Sequence, residues 1–270
     1  AMVKEKFKDV LLIENKTNFG FSYANNQAIK LAKGEYILLL NPDTVIEEKT
    51  LQIICNFMNN HPDAGGLGVK MIDGKGRFLP ESKRGLPTPE VAFYKIFGIS
   101  KLFPNSKKFG KYHLTYLDKE KTHVVDVLSG AFMLLRKECL NKTGLLDEEF
   151  FMYGEDIDMS YRITLAGYKN YYLPDTTIIH YKGESTKKGS INYVLVFYNA
   201  MIIFAKKHFS QKHAGTFSAL INIAIYIRAA MAIIYRFARS IITPIIDTVV
   251  ILGGFALITP IWSTYIFGNE

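Results

Sequence analysis

The sequence predicts an α/β fold, a sheet flanked by helices, followed by a membrane-associated helical tail. Three observations carry that reading. Short apolar runs of strand length alternate with segments of helical periodicity as far as Lys206. One of those runs, Tyr36 to Leu40, closes on the acidic turn Asn41-Pro42-Asp43-Thr44, which puts a carboxylate at the end of a buried strand. Beyond Lys206 the composition turns abruptly apolar. The expected division is therefore a globular domain over 1–205 and a helical region over 206–270.

The elements follow in order. Ala1 to Asp9 is polar and lysine-rich, unlike a secretory signal, which fits a cytosolic catalytic part. Val10 to Glu14 reads as a short buried strand. Asn18 to Gly20 is a turn, and Ser22 to Ala32 has the spacing of a helix that Gly34 stops. Tyr36 to Leu40 is the next strand. Glu47 to Asn60 reads as an amphipathic helix with Leu51, Ile54, Cys55 and Met58 on one face, and with Glu47 and Glu48 favouring its N-terminal dipole. Gly66 to Ile72, then Asp73-Gly74 and Arg77-Phe78, reads as a hairpin. The alternation of strand and helix implies parallel strands with crossover helices. In such sheets ligands sit at the carboxyl ends of strands, where the acidic turn falls.

The tail holds two apolar stretches, Phe217 to Ala238 and Ile241 to Phe267. The first carries Arg228 and Arg236 and reads as an interfacial amphipathic helix; the second is long enough to cross a bilayer. Pro244, Asp247 and Pro260 leave a re-entrant or tilted hairpin open beside the spanning reading. Lys206, Lys207, Lys212, Arg228, Arg236 and Arg239 place the preceding side in the cytoplasm, so the expected location is the cytoplasmic face of a membrane.

Composition narrows the function. With 49% apolar and 13% aromatic residues in 270, disorder is excluded. The net charge of +8 arises from scattered lysines without a nucleic-acid-binding motif. It suits anionic lipid or a diphosphate substrate, and no nucleic-acid partner is expected. Cys55 and Cys139, far apart and each in an apolar stretch, read as free thiols.

Chemistry concentrates in two acidic motifs. Asp43, at the end of its strand, suits a hard divalent cation that bridges phosphate oxygens. Gly154-Glu155-Asp156-Ile157-Asp158 follows the aromatic cluster Phe150 to Tyr153; a carboxylate there suits proton transfer from a hydroxyl, or simply a helix N-terminus. Asp158 is placed to pair with Arg162.

Taken in series, Asn18-Phe19-Gly20-Phe21, Asn25-Asn26, Gly34-Glu35-Tyr36 and Asn41-Pro42-Asp43-Thr44 resemble the inverting family 2 glycosyltransferases of the GT-A fold, in particular bacterial rhamnosyltransferase-like members. The likeness continues through Ser129-Gly130-Ala131-Phe132-Met133, the Glu155-Asp156 pair, and His180 to Ser185, and spans Val10 to His208. It implies a GT-A-type, Rossmann-like mixed sheet. It implies a donor site from Asn18, Gly20, Asn25, Asn26, Asn41 and Asp43, with Asn41 standing where the family's metal motif has its first aspartate. Asp156 matches the general base, and Glu155, Gly130 and Ala131 line the acceptor or sugar pocket. The implied cofactor is Mg2+ or Mn2+, held by Asp43 with His180. For His180 and Gly130 a purely structural role stands beside the functional one, and for Lys83 and Arg84 an exposed basic loop stands beside phosphate contact.

The resemblance implies transfer of a sugar, rhamnose among the candidates, from a nucleotide-diphosphate donor to a lipid-linked or cell-surface glycan. It also implies that Val10 to Glu14 corresponds to the family's third strand, with the strands that grip the nucleotide base missing. The rival expectation is thus an inactive membrane-associated fragment or binding module. A processive synthase is disfavoured, since the Q-x-x-R-W motif is absent.

Overall fold

The computed structural model describes residues 2–181, 191–209 and 211–268. It divides into two compact units, Ala1–Leu220 and Ile221–Glu270.

In the first unit the chain runs α1 (Met2–Lys6), α2 (Phe21–Leu31), β1 (Tyr36–Leu40), β2 (Thr44–Ile46), α3 (Thr50–Asn60) and β3 (Ala64–Ile72). After a 3-10 turn at Pro80–Ser82 come α4 (Pro89–Ile96), α5 (Ile99–Leu102), β4 (His123–Val125), β5 (Phe132–Arg136) and α6 (Lys137–Thr143). Then follow α7 (Glu155–Leu165), β6 (Lys169–His180) and α8 (Ile191–His208). The strands form one sheet in the order β1-β5-β3-β6-β2, with β4 on β6.

The sheet is mixed. β3 and β6 are parallel, but β5 lies antiparallel between β1 and β3. The expected parallel relation of β1 and β3 survives in direction only, because a strand from much later in the chain separates them. Where β6 meets β3 the register slips between Val69↔Leu173 and Lys70↔Thr177, leaving Pro174 to Thr176 looped out. Pro174 has no N–H for the ladder, so a bulge there costs little. Past it, β6 pairs with β2 and carries His180 opposite Thr44.

All five residues of β5 are buried, and they alternate between two cores. Met133 and Leu135 join Ile37, Leu39, Ile29, Cys139 and Ile163 on one face. Phe132 and Leu134 join Ile54, Met58, Leu67 and Met71 on the other. This is the two-residue period of a strand buried between layers. Both cysteines are free, and burial pushes the Cys139 thiol up to about 11.

Three expectations need correction. Val10 to Glu14 is no strand: Val10 and Leu11 are 56% and 73% exposed, and no strand lies beside them among the described residues. An apolar run forms a strand only where a sheet offers it hydrogen-bond partners. The helix expected from Glu47 starts at Thr50, so Glu47 and Glu48 precede it, and its buried stripe is Thr50, Ile54 and Met58 rather than a face containing the exposed Leu51. The Thr50 hydroxyl is drawn inward by a 2.7 Å hydrogen bond with that of Thr176 in the bulge. The hairpin after β3 shrinks to a turn closed by Asp73 N to Arg77 O and one bridge, Ile72 to Phe78.

The second unit belongs to α9 (Gln211–Phe267), which begins in the first. The two apolar stretches are one helix running through Pro244 and Pro260, so the hairpin alternative falls. Thr248 and Thr259 turn their hydroxyls back onto the helix, donating to Pro244 O and Phe255 O one turn earlier, so neither leaves an unpaired donor on this apolar helix. Pro244–Ser263, mean hydropathy 1.9, is long and apolar enough to cross a membrane.

Candidate active site

The turn after β1 folds on its own backbone. Asn41 O accepts from Thr44 N and, at 2.6 Å, from Thr44 Oγ1. Asp43 O accepts from Tyr181 N, so the end of β6 is stitched to the same turn. This brings His180 Nε2 to 3.3 Å from Asp43 Oδ1, with both side chains largely buried. The approach is off the hydrogen-bond line, and Asp43 Oδ1 has no hydrogen-bond donor. A buried carboxylate oxygen left that way suits a cation. Among the described residues no cluster of three or more such ligating side chains exists. Asp43 and His180 therefore fit Mg2+ or Mn2+ only as two ligands of a larger set, of the kind such a cation would accept while keeping water.

The second motif opens α7. Tyr153 and Gly154 both have left-handed backbone, φ 68° and 86°, and turn the chain sharply into the helix. A Cβ on Gly154 would lie 2.9 Å from the Phe150 ring, so only glycine fits. Asp156 Oδ2 accepts from Arg84 Nη2 at 2.5 Å and from Gly130 N at 3.2 Å, and Oδ1 accepts from Ile157 N at 2.8 Å. Arg84 is no exposed loop residue. It is largely buried, and its guanidinium also donates to Leu128 O. Burial works against its charge most strongly, but Asp156, with Tyr112 and Glu155 adding to it, holds Arg84 above its ordinary range.

Glu155 beside it is 7% exposed, and its Oε2 has no hydrogen-bond partner. Burial first, and then the negative Asp156, push its carboxyl up to about 8. Near neutrality Glu155 is therefore an uncharged acid next to an ion-paired carboxylate. Asp158 is structural, as its spacing from Arg162 implied. It is buried, with Arg162 at 2.7 Å on one oxygen and His208 Nε2 at 2.6 Å on the other.

One turn joins the two motifs. Gly130 N reaches Asp156, and the neighbouring Ala131 O accepts from Asn41 N at 3.0 Å. A Cβ on Gly130 would stand 3.5 Å from Asp156 Cβ, ordinary contact, so that glycine is not sterically required.

The Asn18 to Asn26 segment acts mainly as a clasp on the loop before α7. Asn18 Oδ1 accepts from Gly20 N. Phe21 N and Ser22 Oγ donate to Phe151 O and Phe150 O. Asn26, buried, spends its amide on both backbone groups of Leu146 and on Glu148. Asn25 donates to Phe21 O within its own helix. Of the residues expected in a donor site, Asn26 thus turns its polar atoms toward the protein. Gly183 to Ser185, the end of the last family-like segment, lies outside the described residues.

Two pairs escaped the sequence reading. His208 reaches Asp158 across 50 positions, and the sequence holds no signal for it. His113 Nε2 meets Lys95 Nζ at 2.5 Å; burial, then Lys95, Arg84 and Lys83, push this imidazole down to about 3.

Comparison with known proteins bears on this geometry. The sequence profile described as Glycosyltransferase like family 2 matches residues 2–193. The N-acetylglucosaminyl-diphospho-decaprenol L-rhamnosyltransferase of Mycobacterium tuberculosis is 23% identical over 226 residues, 80% of this chain and 71% of that protein. Rhamnosyltransferase WbbL of Escherichia coli K12 is 30% identical over 176 residues, 60% of this chain and 61% of that one. Among solved structures, GalNAc-T7 with UDP, GalNAc and Mn2+ superposes with a TM-score of 0.51 at 14% identity, over 75% of this chain and 38% of that one. That likeness is one of fold.

Proposed function

This chain belongs to glycosyltransferase family 2 and has its GT-A-type fold, and from that premise we propose that it transfers a sugar, rhamnose foremost, from a nucleotide-diphosphate donor to a hydroxyl of a lipid-linked or cell-surface glycan, with inversion. The observation that carries the reading is the Ser129 to Ala131 turn. It holds the Asp156 carboxylate by one backbone group and the Asn41 to Asp43 turn by another, so a base and a diphosphate site flank the same few residues. Rhamnose is favoured by the names of the two curated relatives.

Asp156 accepts the proton of the acceptor hydroxyl as that oxygen bonds to the anomeric carbon. The bond from that carbon to the diphosphate oxygen breaks, and its electron pair leaves with the nucleoside diphosphate. Arg84 and Gly130 N fix the orientation of Asp156 so that the proton passes within hydrogen-bond reach. Glu155, uncharged near neutrality, spares the acceptor hydroxyl a second negative neighbour. Asp43 and His180 would hold a divalent cation. When bound, that cation supplies positive charge against the diphosphate oxygens. Asn41, Asn18, Gly20 and Asn25 shape the donor side, and Asn26 supports it through the 146–151 loop.

We place the catalytic unit on the cytoplasmic face of the membrane. Lys206, Lys207, Lys212, Arg228, Arg236 and Arg239 precede the candidate span Pro244–Ser263, as the positive-inside rule requires. The test is to incubate the chain, in detergent with Mn2+ or Mg2+, with a panel of labelled nucleotide-sugars and a polyprenyl-diphosphate-linked sugar. A labelled lipid product with inverted anomeric configuration is expected. A retained configuration, or hydrolysis of the donor without transfer, would overturn the reading.

A further inference from the structure

Sugar transfer leaves one surface of the first unit without a role. From Val91 to Leu117 the chain has five lysines, Lys95, Lys101, Lys107, Lys108 and Lys111, and no acidic residue. The same stretch presents large apolar side chains outward. Leu102 is 74% exposed, Phe103 53% and Phe97 39%. These are not loose ends. Gly98, φ 76°, turns α4 into α5, and ring contacts join Phe93 to Phe97 (4.6 Å), Phe103 to Phe109 (5.4 Å) and Tyr94 to Phe109 (4.8 Å). Ser106 closes the loop, its Oγ accepting from the backbone of Lys108 and Phe109 and its carbonyl from Gly110 N.

Lys108 reaches Glu90 at 3.6 Å, while Lys101, Lys107 and Lys111 are exposed and make no ion pair among the described residues. A soluble face balances such lysines with acids and hides leucine and phenylalanine. Three exposed apolar side chains in a segment with an excess of exposed lysines are the chemistry of a bilayer interface, where apolar groups enter below the headgroups and lysines meet anionic phosphates. Nucleic acid would engage the lysines but leave Leu102 in water.

We propose that the α4–α5 surface, with Phe97, Leu102 and Phe103 at its tip and Lys101, Lys107 and Lys111 around it, docks the catalytic unit on an anionic phospholipid bilayer. This contact is separate from the apolar helix α9. It lies close to the active site: Gly85 N, next to Arg84, donates to Tyr112 O at 3.1 Å, and Lys95 and His113 pair beside it. Docking there sets Asp156 near the headgroup level, where a lipid-linked hydroxyl is found. The inference goes beyond sugar transfer, and its test reads lipid contact alone.

The chain has a single tryptophan, Trp262, so a reporter is easily moved. Trp262→Phe with Leu102→Trp is reconstituted as the full chain in vesicles containing bromolipids, either anionic or zwitterionic. Trp262→Phe with Leu51→Trp, an exposed position on α3, is the comparison. The expected result is blue-shifted, quenched emission from position 102 in anionic vesicles, weaker quenching in zwitterionic ones, and neither effect from position 51. Adding Lys101→Glu, Lys107→Glu and Lys111→Glu should abolish the quenching at 102. Water-like, unquenched emission from position 102, or equal quenching at both positions, overturns the proposal.

Discussion

Replacing Glu155 with glutamine should change how stability depends on pH, and the sign follows from the site. The Glu155 carboxyl is raised from 4.5 to about 8, chiefly by burial. Between those values the folded protein keeps a proton that the unfolded chain releases. Stability from this group is therefore full below pH 4.5, falls as pH rises, and is lost above about 8. One group costs about 1.4 kcal/mol per pH unit in that window, on the order of 5 kcal/mol across all of it. Glutamine cannot ionise, so the slope disappears. It does bring an amide to a place where Oε2 has no partner, which costs about 2 kcal/mol at any pH. The variant should thus be slightly less stable than the parent at pH 5 and more stable by about 2 kcal/mol at pH 8, with the curves crossing between. Urea unfolding in mild detergent, followed by near-UV circular dichroism from pH 5 to 8.5, measures both curves. Parallel curves would refute the buried, neutral Glu155.

Other sites yield further expectations. Arg84→Met keeps the bulk but frees Asp156 to rotate, so transfer should fall by about 10²-fold with donor affinity unchanged in titration calorimetry. A loss of donor affinity instead would move Arg84 to the donor side. Gly20→Ala forces a Cβ to 2.5 Å from Phe151 O at φ 89°, and should cost about 3 kcal/mol in the same unfolding assay. His208→Ala leaves the buried Asp158 with Arg162 as its remaining ion-pair partner and should destabilise by about 2 kcal/mol. Hydrogen exchange should show that loss at the start of α7 and the end of α8.

Legibility in the sequence divided along the range of the interactions. The Phe21–Leu31 helix, the Tyr36–Leu40 strand and the Asp158–Arg162 pair rest on contacts within a few residues, and their periodicity shows in the sequence. The insertion of Phe132–Arg136 between two strands nearly sixty residues or more upstream leaves no local trace, so the alternation of strand and helix by itself implied parallel strands, and the mixed sheet was legible only through the family resemblance. Val10 to Glu14 has the composition of a strand, but strand formation needs a neighbour. For Arg84 phosphate contact and an exposed basic loop stood side by side, because the partner that draws it inward, Asp156, lies 72 positions away. The acidic motifs were legible for the opposite reason: each sits at the end of its own strand or the start of its own helix. What the sequence lacked was the Ser129 to Ala131 turn as their meeting point.

The central claim is that Asp43 and Asp156 do different work in one site. The most direct measurement is calorimetric titration of the full chain with dTDP and UDP, with and without Mn2+, for the parent, Asp43→Ala and Asp156→Asn, paired with the transfer assay on the same samples. Metal-dependent nucleotide binding is expected in the parent, its loss in Asp43→Ala, and unchanged binding without transfer in Asp156→Asn. Metal-dependent binding that survives Asp43→Ala, or transfer that survives Asp156→Asn, would contradict that claim.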